Sequence, residues 1–451
     1  MPTRQVPSRS SLKTEESLIK APLVADQFEQ RLVEELIADV RNPRTHPARQ
    51  RSQMISSISE YGFNNPVLID SAGVIIAGHL RVWAAGKLGM ERVPVLVLGH
   101  LTEVQKRAYA IADNQLALNA EWDLELLRSE VAAIEDELGK LDLFSDQECE
   151  QLLAELDRET ATDEDDAPEF PETPVSVLGD LWILGNHRLL CGDSTLMANL
   201  ETVLSSGTAD LVFMDPPYNV AYRQASKPRR RGGPSLIVND DLGKDFEKFL
   251  YDACVNVLAV TKGAIYICMS SSELHTLHKA FTAAGGHWST FLIWSKNTFT
   301  LGRSDYQRQY EPILYGWREG DGHFWCGARD QGDVWYVNKS QVNDLHPTMK
   351  PVELVERAIR NSSRRRGVVL DPFGGAGSTL IACEKTVRQA RLIEIEPQYV
   401  DVTIQRWQNF TGRQATLSGD GRTFARIAQE RISPNAERLI RDLVSDARRA
   451  A

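Results

Sequence analysis

Apolar residues in this chain fall in short blocks, and the spacing within the blocks changes along its length. Gln30 to Val40 is mixed, reading as a strand or helix edge that leads into Asn42-Pro43-Arg44. Ile55 to Tyr61 repeats apolar positions at helical spacing and stops at Gly62, which predicts a helix closed by glycine. Pro66 to Asp70 and Val74 to Ala77 predict a strand pair. From Leu101 to Leu156 the pattern turns helical. Ala108, Ile111, Leu116, Leu124, Leu127, Val131, Ile134 and Leu138 draw one apolar stripe, predicting helices that bridge two modules.

After an acidic, proline-bearing stretch from Glu159 to Pro174, predicted as a flexible linker, the apolar blocks become continuous, as buried strands require. Leu211-Val212-Phe213-Met214 ends in Asp215-Pro216-Pro217-Tyr218, and Val368-Val369-Leu370 runs into Asp371-Pro372-Phe373-Gly374-Gly375-Ala376-Gly377-Ser378-Thr379. The second reads as strand, glycine turn and helix. About twenty residues on, Arg391 to Glu396 predicts a short strand ending in acid. In α/β folds such strand ends carry the ligand sites.

A carboxylate, two rigid residues with fixed carbonyls and an aromatic face suit a flat, amino-bearing ring. Read alone, Asp215 to Tyr218 is equally a strand end with a proline turn. The glycine turn lets backbone approach a ligand and offers helix N–H groups. It lacks the Gly-Lys-Ser/Thr ending of a phosphate-cradling loop, so a nucleotide-like ligand with little or no phosphate fits better. Glu394 is the candidate for ribose hydroxyls. Its alternative is a solvated strand end.

Taken in order, Cys191-Gly192-Asp193-Ser194, Asp215-Pro216-Pro217-Tyr218, His346-Pro347-Thr348-Met349-Lys350-Pro351, the Asp371 glycine turn and Glu394 resemble the β-class amino-group DNA methyltransferases. That resemblance spans roughly residues 175 to 413. It implies an α/β, Rossmann-like domain binding S-adenosyl-L-methionine, with Asp193 near the adenine, Glu394 near the ribose, and Asp371, Phe373, Gly375, Gly377, Ser378, Thr379 and Lys350 toward the methionine end. It also implies catalysis by Asp215, Pro216, Pro217 and Tyr218 on a flipped-out base. The aspartate at position 215 leans toward N6 of adenine, with N4 of cytosine as the alternative.

Residues 28 to 116 resemble the ParB-like N-terminal domain, a smaller α+β fold. Asn42-Pro43-Arg44 and Gly78-His79-Leu80-Arg81 stand at its two signature boxes. This implies nucleotide or DNA contact by Arg44, Gly78, His79 and Arg81, although Val82 stands where many relatives place another arginine. A structural or DNA-docking role is the alternative.

Charge refines the expected partner, double-stranded DNA. The chain has 51 Lys and Arg against 62 Asp and Glu, a net charge of −11. Much of the acid lies between Glu125 and Glu172, whereas Lys227, Arg229, Arg230 and Arg231 form a basic run after the catalytic motif. These four are candidates for phosphate contact, with a solvated charge run as the alternative. Arg303 and Arg308, in an interval rich in aromatic and amide residues, are candidates for target recognition.

Six cysteines without paired ligand spacing and the absence of a secretory or membrane segment predict reduced thiols in the cytoplasm. His275, His278 and His287 lack acidic or cysteine partners, so no metal is expected. The expected organisation is a disordered start (1–27), the ParB-like domain (28–116), a helical bridge and linker (117–174), the methyltransferase domain (175–413) and a helical tail (414–451). The oligomeric state stays open, with a dimer as one option. Two rival classes remain: a DNA-binding partition module with an accessory methyltransferase half, and a methyltransferase acting on RNA or a small molecule.

Overall fold

The computed structural model describes residues 28–119, 122–138, 146–153, 164–220, 239–300, 305–338 and 349–432. The chain separates into two units, Met1–Leu143 and Phe144–Ala451.

In the first unit, β1 (Phe28–Leu32), β2 (Val67–Ile69), β3 (Ile75–Ala77) and β4 (Arg92–Val97) form a sheet in the order β1-β4-β2-β3. Helix α1 (Ala48–Tyr61) ends at Gly62, whose φ of 83° fits a residue without Cβ and whose N–H closes on the Ile58 carbonyl. Helix α2 (His79–Lys87) begins at Gly78, and α3 (Glu103–Leu118) begins with a capping box between Thr102 and Gln105. Val67, Ile69, Ile75, Ala85, Val93 and Val95 make the core. The predicted stripe is only partly buried. Val131, on α4 (Leu124–Leu138), is buried, but Ile111, Leu116 and Leu124 are exposed. Helical periodicity gives the direction of a face and not what covers it.

The second unit holds α5 (Asp146–Leu153), β5 (Leu181–Leu184), β6 (His187–Cys191), α6 (Met197–Leu204), β7 (Ala209–Met214), α7 (Phe246–Val260), β8 (Thr261–Cys268), α8 (Leu274–Ala283), β9 (Gly286–Thr300) and β10 (Arg308–Arg318). After these come β11 (Val334–Tyr336), α9 (Val352–Ser362), β12 (Val368–Asp371), α10 (Ser378–Lys385), β13 (Gln389–Glu394), α11 (Pro397–Thr411), β14 (Thr416–Leu417) and α12 (Phe424–Ile432). Its sheet runs β11-β9-β10-β8-β7-β12-β13-β6-β5-β14. The central strands from β8 to β6 are parallel.

Continuous apolar runs are what such strands need, because helices cover both faces. Alternate residues show it directly. Leu211 and Phe213 pack with α9, α10 and α11, whereas Val212 and Met214 pack with α6, α7 and α8. The result is a three-layer α/β unit whose parallel strands all end on one edge.

Two expected boundaries move. The tail expected from residue 414 belongs to this unit as far as Ile432: β14 pairs with β5, Phe424 packs edge-on to Trp182, and Arg431 pairs with Asp180. The expected linker is also packed from Glu164 onward, where Asp165 accepts the Val352 N–H at 2.9 Å and Phe170 meets the Tyr399 ring. Within the expected bridge, α5 is anchored through Glu150 to Arg360 and Arg388. Two of the acidic residues are ion-paired here, Glu150 in the expected bridge and Glu164, with Lys385, in the expected linker. Among the described residues no helix is long and apolar enough to cross a membrane.

Candidate active site

Four adjacent parallel strands in the order β7-β12-β13-β6 present Asp215, the Asp371 glycine turn, Glu394 and Asp193 along the same edge. Three strand spacings of about 4.8 Å make this row about 14 Å long. Asp193, Asp215, Pro216, Pro217, Tyr218, Lys350, Asp371, Phe373, Gly375, Ser378, Thr379 and Glu394 line a single crevice. Gly377, between the lining residues Ala376 and Ser378, is the N-cap of α10, with φ 84°.

The glycine turn is fixed from three sides. Asp371 accepts the Phe373 N–H at 3.0 Å and the Thr379 hydroxyl at 2.6 Å. Glu394 accepts the Gly375 N–H at 2.8 Å and the Glu396 N–H at 2.9 Å, one on each oxygen, and the carboxylate keeps acceptor capacity for a ligand hydroxyl. Thr403 donates to the Gly375 carbonyl at 2.8 Å. Burial raises both carboxyls, Asp371 to about 7. Phe373 meets Phe249 edge-on, giving the crevice an apolar wall. Asp193 accepts from the Thr195 N–H and hydroxyl, which fixes the turn after β6.

Lys350 departs from the role that the sequence suggested. Its backbone carbonyl accepts from the Ser378 hydroxyl at 2.6 Å, but its ammonium reaches Asp215 at 2.6 Å and Glu311 at 2.9 Å. Two carboxylates compensate the buried ammonium and raise its pKa, while Lys350 and Lys296 pull Glu311 down to about 2 against its own burial. Burial raises Asp215, and Lys350 opposes that in part. Tyr218 donates to Asp215 at 2.6 Å and also contacts Glu311.

Glu311 and Lys296 lie in the interval around Arg303 and Arg308 that the sequence assigned to target recognition, and sequence reasoning passed over Asp240, which accepts the Tyr218 N–H at 2.9 Å and holds the turn after Asp215. No local pattern marks them, since β10 and β9 come to this edge only through sheet pairing. Arg308 donates to Ser270 at 3.1 Å at the start of β10. Lys227, Arg229, Arg230, Arg231 and Arg303 lie outside the described residues.

In the first unit, Gly78 has φ 108° at the start of α2. The His79 ring accepts the Asp39 N–H at 3.2 Å, linking the two signature regions. Arg81 donates to the Pro66 carbonyl at 3.3 Å, and its Nε is buried without a partner. Arg44 is held by Asn114 of α3.

The DNA methylase family matches residues 209–405. The ParB-like nuclease domain-containing protein YnaK of Escherichia coli (strain K12) is 51% identical over 77 residues, covering 17% of this chain and 88% of that protein. The type II methyltransferase M.HpaI of Haemophilus parainfluenzae is 26% identical over 256 residues, 49% of this chain and 74% of that enzyme. Among solved structures, the M1.HpyAVI–SAM complex aligns with 48% of this chain and 97% of its own at 20% identity and a TM-score of 0.39. With the ordered motifs converging on one crevice, the chain carries a DNA methylase domain of the N6/N4 family at residues 209–405, and its N-terminal region is similar to a ParB-like nuclease domain.

Proposed function

We propose that this protein methylates the exocyclic N6 of adenine in duplex DNA, using S-adenosyl-L-methionine and acting on a base turned out of the helix. The observation that carries the reading is the proximity of the Asp215 carboxylate to the glycine turn and Glu394 within one crevice.

The chemistry of the lining fits the donor. Glu394 keeps acceptor capacity for ribose hydroxyls, the α10 N-terminus favours an anionic carboxylate, and buried Asp371 suits an ammonium. Bound there, S-adenosyl-L-methionine supplies an electrophilic methyl on a positively charged sulfur.

The residues of the chain do the rest. An exocyclic amine is a poor nucleophile because its lone pair is delocalised into the ring. Asp215 and the Pro216 carbonyl accept its N–H hydrogens, favouring a pyramidal nitrogen whose lone pair is free to attack. As the N–C bond forms and the S–C bond breaks, the amine proton becomes acidic and passes to Asp215. Burial, by raising that carboxyl, suits it to the task. Tyr218 offers its ring to the extruded base, a contribution of roughly 1–3 kcal/mol. Gly78, His79 and Arg81 of the ParB-like unit are assigned to nucleotide phosphate or DNA backbone at the α2 N-terminus.

The test is purified full chain, labelled donor and duplex DNA, followed by nucleoside analysis. The expected product is N6-methyladenine, with at least about a hundredfold loss in Asp215→Ala, equivalent to about 2.7 kcal/mol of transition-state stabilisation. N4-methylcytosine in its place overturns the base assignment. Methyl transfer to RNA alone overturns the DNA assignment.

A further inference from the structure

The site contains more charge than the transfer of one proton needs. Asp215, Glu311, Lys350 and Lys296 form a four-charge group with no net charge at the end of the sheet, and Glu311 and Lys350 are almost wholly buried. Glu311 comes from β10, two strands from β7, where it pairs in register with Trp294 of β9.

Two donors are shared between the carboxylates. The Lys350 ammonium lies 2.6 Å from Asp215 Oδ2 and 2.9 Å from Glu311 Oε1, and the single Tyr218 hydroxyl hydrogen faces Asp215 Oδ1 and Glu311. Both donors rest on Asp215, one on each oxygen, and without a competing carboxylate each would belong to it alone and bind it more tightly. Undivided, they would draw negative charge from the oxygens whose second lone pairs a target amine has to use. Lys296, 2.7 Å from Glu311 Oε2, keeps the second carboxylate ionised and in place.

We propose that Glu311 is a positioning residue for methyl transfer: it shares Lys350 and the Tyr218 hydroxyl with Asp215, loosening their hold on that carboxylate so that its remaining lone pairs can accept the amine hydrogens. The inference rests on Asp215 being the amine acceptor, as argued above. Glu311 itself touches neither donor nor base in this scheme.

The groups facing Asp215 set its titration. Lys350 and Tyr218 contact it directly, Glu311 faces it from β10, Cys268 from β8 and Asp371 from β12, and Lys296 acts from β9 through Glu311. Removing the Glu311 charge takes away a repulsion and leaves Lys350 wholly to Asp215. Both effects move Asp215 downward. Removing Lys296 does the reverse, since Glu311 then pulls harder on Lys350 and a nearby positive charge is gone.

The experiment titrates the Asp215 carboxyl in full-length protein by its 13C shift, using 13Cγ-labelled aspartate assigned with Asp215→Asn, alongside kcat and donor Kd. In Glu311→Gln the titration and the acid limb of kcat are expected to move down by about one to two pH units. kcat should fall about tenfold or more with donor Kd within about twofold. In Lys296→Met the titration should move up, and Glu311→Asp should restore its position.

A carboxyl titration that stays put in Glu311→Gln, or moves the same way in both variants, overturns the inference and leaves Glu311 a packing residue. The titration needs no turnover. A wild-type chain that binds donor yet methylates no DNA therefore sinks the proposed function, while the opposed shifts still decide what Glu311 does to Asp215.

Discussion

Replacing Asp371 with asparagine should stabilise the catalytic unit in mild alkali while weakening its hold on the donor. Asp371 is 4% exposed. Each of its oxygens accepts one hydrogen bond, from the Phe373 N–H and from the Thr379 hydroxyl, and among the described residues no ammonium or guanidinium forms an ion pair with it. Burial raises the carboxyl from 3.8 to about 7. Between those values the folded form holds a proton that the unfolded chain has lost. Stability therefore falls as pH rises, by about 1.4 kcal/mol per unit, and the loss is complete above pH 7 at about 4 kcal/mol. Asparagine carries no charge to desolvate but gives up one acceptor, a cost of about 1 kcal/mol. Relative to wild type, the variant should therefore gain about 2–3 kcal/mol between pH 5 and pH 8. Urea unfolding of the full chain, followed by the fluorescence of buried Trp182, Trp294 and Trp407, measures this. Calorimetry should show donor Kd raised about tenfold or more at pH 8, where the charge-assisted contact to an ammonium is lost. A stability difference that is flat from pH 5 to pH 8 refutes the reasoning.

Two glycines two residues apart in the motif should behave differently. At Gly377 (φ 84°) an added Cβ meets Thr403 Cγ2 at 2.8 Å, whereas at Gly375 (φ 49°) its nearest neighbour is 4.0 Å away. Gly377→Ala should cost about 2–4 kcal/mol in urea unfolding and Gly375→Ala about 1. Equal losses would contradict the packing described. Tyr218→Ala should raise the KM for DNA by about ten- to a hundredfold through lost stacking, while Tyr218→Phe keeps most of the affinity. Matching KM values in the two variants would remove the ring from base capture. Alanine at Lys227, Arg229, Arg230 and Arg231 together should flatten the salt dependence of DNA binding by about 3–4 in log–log slope. An unchanged slope would place the phosphate contacts elsewhere.

Apolar blocks and turn chemistry by themselves determined the local pieces: the strand before Asp215, the strand, glycine turn and helix at Asp371, the acidic strand end at Glu394, and the glycine-closed helix at Gly62. Each is set by residues next to one another, through burial on both strand faces, positive φ and helix capping. The order of the motifs was enough to suggest the chemistry. Tertiary structure alone decided that the Lys350 ammonium turns to Asp215, 135 positions away, and that Glu311 and Lys296 complete the group. It also decided that residues 414–432 finish the sheet and its packing, and that half of a regular apolar stripe lies exposed. The physical reason is common to all of these. Strand order and register bring distant side chains to one edge, and whether a charge or an apolar face is buried depends on the element packed over it, which no local spacing records.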